Sequence, residues 1–183
     1  LTNWLSFLDN SDEIVVAVNT SMDNSAELVR QFFVDYKATH ILCQTKTTVV
    51  ESSFSYQDAE FDGRIKGFAL SNCTQPYCIL LDCDEVLPLN TRPLWRNLAA
   101  GFEKNKNVDA VLVPVLDVYQ DERHYTLSGT SLGTKWYLHR NSPNITRGVV
   151  KWARRDNGSI DITKSDTTEL IYVDSGELVR ATP

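Results

Sequence analysis

Ile79-Leu80-Leu81-Asp82-Cys83-Asp84-Glu85-Val86-Leu87-Pro88 is the stretch on which the reading of the fold turns. A short apolar run, Ile79 to Leu81, stops at three carboxylates, Asp82, Asp84 and Glu85, and Pro88 closes the segment. The run is too short to cross a bilayer, and Pro76 just ahead of it disfavours helix, so it reads as a fully buried strand. Carboxylates at the carboxyl end of a parallel strand lie where open α/β sheets place their ligands. Pro88 and the loss of strand pattern predict that the chain turns at these residues. Three acids within four positions repel unless a cation or water separates them. An oxygen-only set suits Mg²⁺ or Mn²⁺, hard ions that keep coordination sites for phosphate oxygens. The plain alternative is a solvated acidic turn.

Strands and helices alternate on either side of this stretch. Leu1 to Leu8 places Leu1, Trp4, Leu5 and Leu8 on one helical face. Glu13 to Val18 is a continuous apolar strand, followed by a turn-rich Asn19 to Asn24 and a helix over Ser25 to Tyr36 that buries Leu28, Val29, Phe32 and Phe33. Asp23 stands where an N-cap would. His40 to Gln44 reads as a second short strand, with His40 a structural residue at its start, and Thr45 to Gln57 as a polar loop. Gln57 to Asn72 is a helix with Phe61, Ile65, Phe68 and Ala69 on one face, Gly63 and Gly67 permitting close approach, and Arg64 and Lys66 as cations on a solvated face. Thr91 to Lys104 is a helix capped by Thr91, with Pro93 in its first turn and a buried stripe of Leu94, Trp95, Leu98, Ala99 and Phe102. Asp109 to Val115 is a further buried strand, Lys135 to Arg140 alternates like a strand, and Ile160 to Val179 adds strands at an edge. Asn157-Gly158 marks a hairpin turn.

At 183 residues the chain fits one α/β domain over 1–183, with an ample core. A net charge of −6 excludes a general nucleic-acid binder, whose affinity comes from clustered Lys and Arg. No apolar run is long enough for a transmembrane segment. Cys43, Cys73, Cys78 and Cys83 match no common zinc spacing and read as reduced core thiols of a cytoplasmic protein. The sequons at Asn19, Asn72, Asn144 and Asn157 matter only if the chain is secreted.

Three segments, in order, carry a family resemblance. Asp12 to Phe32 is similar to the strand, "D-x-x-S-x-D-x-T" turn and helix of the family 2 glycosyltransferases; Gly63 to Pro88 looks like their "K-x-x-A-x-N-x-A" helix and "D-x-D-E" strand; and Asp109 to Tyr119 resembles the strand after the next helix. The resemblance spans roughly the first two thirds of the chain. It implies the GT-A fold, a mostly parallel Rossmann-like sheet flanked by helices, with extra strands in the C-terminal third. Residues 1–115 would form the nucleotide-sugar half and 116–183 the acceptor half. The family's opening strand has no counterpart here, and Asn19 stands where the family usually has Asp.

The resemblance implies transfer of a sugar from a UDP- or GDP-sugar to a carbohydrate or other hydroxyl acceptor, with inversion. Asn19, Ser21, Asp23 and Asp82 would contact the donor, together with Arg64 or Lys66. Asp84, assisted by Asp82, would hold Mn²⁺ or Mg²⁺, which neutralises the departing diphosphate. The sugar carbon becomes oxocarbenium-like, and a carboxylate base must take the acceptor proton. The family's His-Glu pair after a Gly is absent, since Gly148 is followed by Val149-Val150-Lys151-Trp152. Asp156, Asp121 and Glu122 are the candidate bases, and Arg140, Arg147 and Arg154 could meet phosphate or acceptor. Two rivals stand beside this reading. One is a degenerate GT-A domain that binds sugar or protein without turnover. The other is a haloacid dehalogenase-like phosphatase, because Asp82-Cys83-Asp84-Glu85-Val86 also fits D-x-D-x-[TV]. A calcium loop is excluded, because its sixth position is Leu87 rather than Gly.

Overall fold

A computed structural model of the chain describes residues 1–20, 23–58, 61–105, 110–115, 133–141, 145–147, 170–174 and 177–180. The described elements are α1 (Thr2–Phe7), β1 (Glu13–Asn19), α2 (Ser25–Thr39), β2 (Lys46–Ser52), α3 (Phe61–Ser71), β3 (Tyr77–Ile79), α4 (Arg92–Lys104), β4 (Ala110–Val115), β5 (Gly133–Arg140), β6 (Ile145–Arg147), β7 (Leu170–Asp174) and β8 (Glu177–Arg180). A 3₁₀ turn, Leu89–Thr91, leads into α4. The chain is therefore mixed α/β, as its alternation predicts. No helix among the described residues is long and apolar enough to cross a membrane.

The sheet is less parallel than expected. Among the described strands, parallel pairing is confined to β1 and β2, in register from Glu13 opposite Lys46 to Asn19 opposite Ser52. The reason is β5, which returns between β3 and β4 and runs antiparallel to both. β6, β7 and β8 make a third, antiparallel sheet.

Two local expectations are corrected. The second strand is Lys46–Ser52, inside the segment read as a loop, and not His40 to Gln44. Thr47, Thr48, Val49 and Val50 are β-branched and favour extended backbone. Helix α2 instead continues to Thr39, and Cys43 N–H donates to His40 O at 2.7 Å in the turn that follows. That turn leaves Ile41 and Leu42 87% and 86% exposed. The strand before the acidic turn is also displaced, from the expected Ile79 to Leu81 to Tyr77–Ile79, and only Cys78 within it is buried.

Of the cysteines expected as core thiols only Cys78 is buried and Cys83 is exposed, and Leu28 and Leu94 are exposed as well. At 100° per residue each lies about 90° from the centre of its helix's apolar stripe. In α2 that stripe is Val29, Phe32, Phe33 and Tyr36, and in α4 it is Trp95, Leu98, Ala99 and Phe102. Phe33 joins Leu5 and Ile14 in one core cluster, while Trp95 and Phe102 join Phe7, Leu87 and Leu138 in another. Helix α1 serves both: Leu5 enters the first and Phe7 the second.

Polar contacts complete the join. Asn3 pairs with Leu87 like a strand neighbour, donating from Nδ2 to the carbonyl at 2.9 Å and accepting from the amide at 3.0 Å. Trp4 Nε1 donates to Glu85 O at 2.9 Å. Arg96 spans Asp9 and Asp12, and Arg92 pairs with Asp9, fixing α4 to the connection between α1 and β1. At the start of β1 the Glu13 side chain, 4% exposed, accepts from the Thr74 and Gln75 amides, from Thr74 Oγ1 and from Lys46 Nζ.

Two measurements check these joins. Asn3→Ala is expected to cost about 1–2 kcal/mol and to speed hydrogen exchange of the Leu87 amide; unchanged exchange there would contradict the pairing. For Glu13, burial raises the pKa, but the Thr74 and Gln75 donors and Lys46 outweigh it and hold the carboxyl below its ordinary 4.5. A group lowered on folding contributes stability above its unfolded pKa and loses it as pH falls through the folded value. Urea unfolding should therefore show wild-type stability falling more steeply below about pH 4.5 than that of Glu13→Gln. Parallel acid limbs would remove Glu13 from this role.

Candidate functional site

The acidic turn forms because β3 runs out of ladder partners and the chain folds back within four residues. Glu85 N–H donates to Asp82 O at 3.1 Å, closing the turn that the sequence predicts. The Glu85 carboxylate reaches back to accept from Asp82 N–H at 2.8 Å, so this third acid is occupied in holding the turn. Asp84 sits at the tip, exposed to solvent. Helix α1 fixes the exit of the turn through the Glu85 and Leu87 contacts described above.

Asp82 faces α3, where Lys66 Nζ lies 3.1 Å from one of its carboxylate oxygens and 3.0 Å from Asp62, one helical turn earlier. The Lys66 side chain is only 17% exposed. Burial works against its charge, but Asp62 and Asp82 outweigh burial and raise its pKa, so the ammonium stays charged between two carboxylates. The sequence leaves Arg64 and Lys66 as equal candidates, and the structure separates them. Lys66 meets the acidic turn, whereas Arg64 pairs with Asp58 at 3.0 Å. Asp62 is a member of the group that sequence reading missed; its spacing of four from Lys66 is the signal that was available.

A second locus lies at the carboxyl ends of the parallel pair β1 and β2. Asn19 and Thr20 from one strand end, and Ser53, Phe54, Ser55, Tyr56 and Gln57 after the other, line a cavity of about 570 Å³. Asn19 does not reach out from this wall. Its Nδ2 donates to Phe54 O at 2.9 Å, and its Oδ1 accepts from Ser52 Oγ at 3.0 Å and from Phe54 N–H at 2.9 Å. Thr20 Oγ1 donates to Ser52 O at 2.7 Å. Tyr56 packs on Phe61 and Phe54 on Phe68, so the cavity's loop rests on the same helix that carries Lys66. The reading of Thr45 to Gln57 as a featureless loop concealed this wall, although Thr-Thr-Val-Val followed by Ser-Ser-Phe-Ser marks a strand running into a turn.

Asp23 accepts from Ser25 N–H at 3.1 Å and from Ser25 Oγ at 2.6 Å, satisfying a donor in the first turn of α2. The N-cap position itself belongs to Asn24, whose φ of 56° lies in the left-handed region that Asn tolerates. Trp95 is buried in the core, and its Nε1 donates to Thr91 Oγ1 at 3.1 Å. Arg140 donates to Phe102 O and Asn105 O at the end of α4. Ser21, Asp121, Glu122, Asp156 and the Asn157-Gly158 turn lie outside the described residues. So does Arg154, and of Arg147 only the backbone is described.

The described residues contain no cluster of three His, Cys, Asp or Glu side chains that could hold a metal. Asp82 and Asp84 carry the oxygen donors that hard divalent ions take, with Asp82 engaged by Lys66 and Asp84 exposed. Chemically, the turn offers one exposed carboxylate and one carboxylate paired with a half-buried ammonium that it shares with Asp62. Compared with protein-family models, curated proteins and solved structures, the chain has no match.

Proposed function

We propose that the chain is a metal-dependent glycosyltransferase, moving a sugar with inversion from a UDP- or GDP-sugar to an acceptor hydroxyl, on a GT-A-like scaffold. The observation that carries this reading is the Lys66–Asp82 pair beside exposed Asp84, at the end of a strand and behind a turn braced from several directions. The cavity at the carboxyl ends of β1 and β2 adds support, because that edge is where parallel α/β pairs receive nucleotides.

Asp84 and Asp82 would hold Mn²⁺ or Mg²⁺, which when bound neutralises charge on the diphosphate leaving group. Lys66, displaced from Asp82, is long enough and charged enough to pass to a phosphate oxygen, keeping the buried ammonium paired throughout. Asp62 retains its hold on Lys66 during that exchange and limits where the amine can go. Proton removal from the acceptor falls to a carboxylate in the acceptor half, with Asp156, Asp121 and Glu122 as candidates. A binding module without turnover is the second reading. It is favoured by the same ion pair, which engages Asp82 in the absence of ligand.

Calorimetry distinguishes these readings. UDP or GDP is expected to bind only with Mn²⁺ present, and Asp84→Ala should weaken that binding by about ten- to a hundredfold. Lys66→Met frees Asp82 and should tighten Mn²⁺ alone while weakening the nucleotide. Slow hydrolysis of a UDP- or GDP-sugar then separates transferase from binding module. Absence of nucleotide binding, together with Asp82-dependent cleavage of p-nitrophenyl phosphate, would replace the proposal with a phosphatase.

A further inference from the structure

Ile41 and Leu42 are the most exposed large hydrophobic residues described, at 87% and 86%, and they stand together at the tip of the turn between α2 and β2. The backbone that presents them is held on both sides. On the α2 side His40 N–H donates to Tyr36 O at 2.9 Å, and the His40 ring stacks on Tyr36 with centroids 4.0 Å apart. Across the tip Cys43 N–H donates to His40 O at 2.7 Å. On the β2 side Gln44 N–H donates to Asn10 Oδ1 at 2.8 Å, and buried Thr45 donates from Oγ1 to Asp9 O at 3.2 Å. Two aliphatic side chains braced in water forgo the stabilisation that burial would bring. Val34 and Ala38, both exposed and one turn apart on α2, extend the apolar surface toward them.

Size and charge together select what covers this tip. A two-residue tip falls short of the ~800 Å² that each partner of a stable protein pair buries, so it does not by itself hold a second copy or another folded protein. A bilayer surface takes it readily, because aliphatic side chains enter the acyl boundary while neighbouring cations stay among the headgroups. From Tyr36 to Val50 the chain carries Lys37, His40 and Lys46 and no acid. The acids that approach from the α1–β1 connection are already paired, Asp9 with Arg92 and Arg96, and Asp12 with Arg96. Glu13 pairs with Lys46, and Asp35 on α2 accepts from Gln31 at 2.8 Å. Lys37, in the last turn of α2, therefore sets the local sign beside the apolar pair, although the chain as a whole is net negative.

We propose that the α2–β2 tip is a membrane-surface anchor, with Ile41 and Leu42 inserted between the headgroups of an anionic bilayer and Lys37 against the lipid charge. The tip leads into Lys46 at the first position of β2, opposite Glu13 at the first position of β1. The cavity lined by Asn19 and Ser53 lies at the other end of these strands, about 20 Å away at ~3.3 Å per residue. A chain docked by the tip therefore holds that cavity on the water side, where a water-borne ligand reaches it. The anchor does not depend on the transferase reading.

Flotation of the full chain with vesicles of equal parts phosphatidylserine and phosphatidylcholine, at millimolar lipid, provides the test. The wild-type chain should float with these vesicles, and Ile41→Ser combined with Leu42→Ser should lower its partition coefficient about tenfold or more. Lys37→Glu should lower partition about tenfold on the phosphatidylserine vesicles and leave it unchanged on phosphatidylcholine alone. Both variants should keep the wild-type melting temperature, because the altered residues are not in the core. Equal flotation of wild type and the double Ser variant would overturn the proposal, as would no flotation of the wild type. A clearly lowered melting temperature in the double variant would assign the pair to the chain's own packing instead. A dimer in analytical ultracentrifugation that the double variant abolishes would replace the bilayer with a second copy.

Discussion

One buried carboxylate joins parts of this chain that no backbone ladder connects. The β1–β2 pair and the β3–β5–β4 sheet share no hydrogen-bonded strands among the described residues. Glu13, at the first position of β1, accepts from two backbone amides, a hydroxyl and an ammonium, and so locks the α3–β3 turn to the other sheet. Burying a carboxylate is unfavourable unless its oxygens are satisfied. Four donors satisfy these, and charge-assisted bonds of this kind contribute about 1.5–3 kcal/mol each when made. Gln75 Nε2 donating to Ser11 O at 3.0 Å strengthens the same join. Helix α1 makes a second, apolar one, since Leu5 and Phe7 enter different core clusters.

The geometry of the acidic turn follows from those joins. Its entrance is fixed through β3 and the α3–β3 turn, its exit through Asn3 and Trp4, and its interior by Glu85 folded onto Asp82 N–H. What remains mobile in chemical terms is the pairing of charges. Lys66 lies between Asp62 and Asp82 in a half-buried setting, where removing one acid would leave the other still in place. An Arg here would bind a carboxylate bidentately and resist exchange; a Lys point charge on a flexible stem can change partners. One ammonium shared by two carboxylates leaves the group net negative, a surplus that the exposed Asp84 increases.

Much of this was legible in the chain, and the failures have a common cause. The helices α1, α2, α3 and α4 follow from apolar spacing, and β1, β4 and β5 from short runs bounded by turn residues. The turn at Asp82 was readable from Pro88 and the end of the apolar run. Where the reading failed, the deciding contact was distant in sequence. His40 to Gln44 reads as a strand from its apolar residues, but the β-branched run Thr47 to Val50 is the better strand former and is the one that pairs with β1. Leu28 and Leu94 match a helical period, yet their neighbours define the stripe and leave them at its edge. Glu13 gives no local sign of its role, because its partners Thr74 and Gln75 lie 61 and 62 positions away.

Asn19 shows the same limit from the side of function. An acid at this position would offer two acceptors, as the family resemblance leads one to want for a nucleotide contact. The observed residue donates to Phe54 O and accepts from Ser52 Oγ and Phe54 N–H, a combination that a carboxylate cannot make. An Asp in its place would set a carboxylate oxygen against a carbonyl, losing a bond and adding repulsion. The amide is thus explained by the loop it closes. Ser53, Ser55, Tyr56 and Gln57 line the cavity with hydroxyls, an amide and an aromatic face, all carried on a backbone that Asn19 holds in position. Asn19, for which the resemblance implies a donor contact, is in this structure a strut for the neighbouring loop.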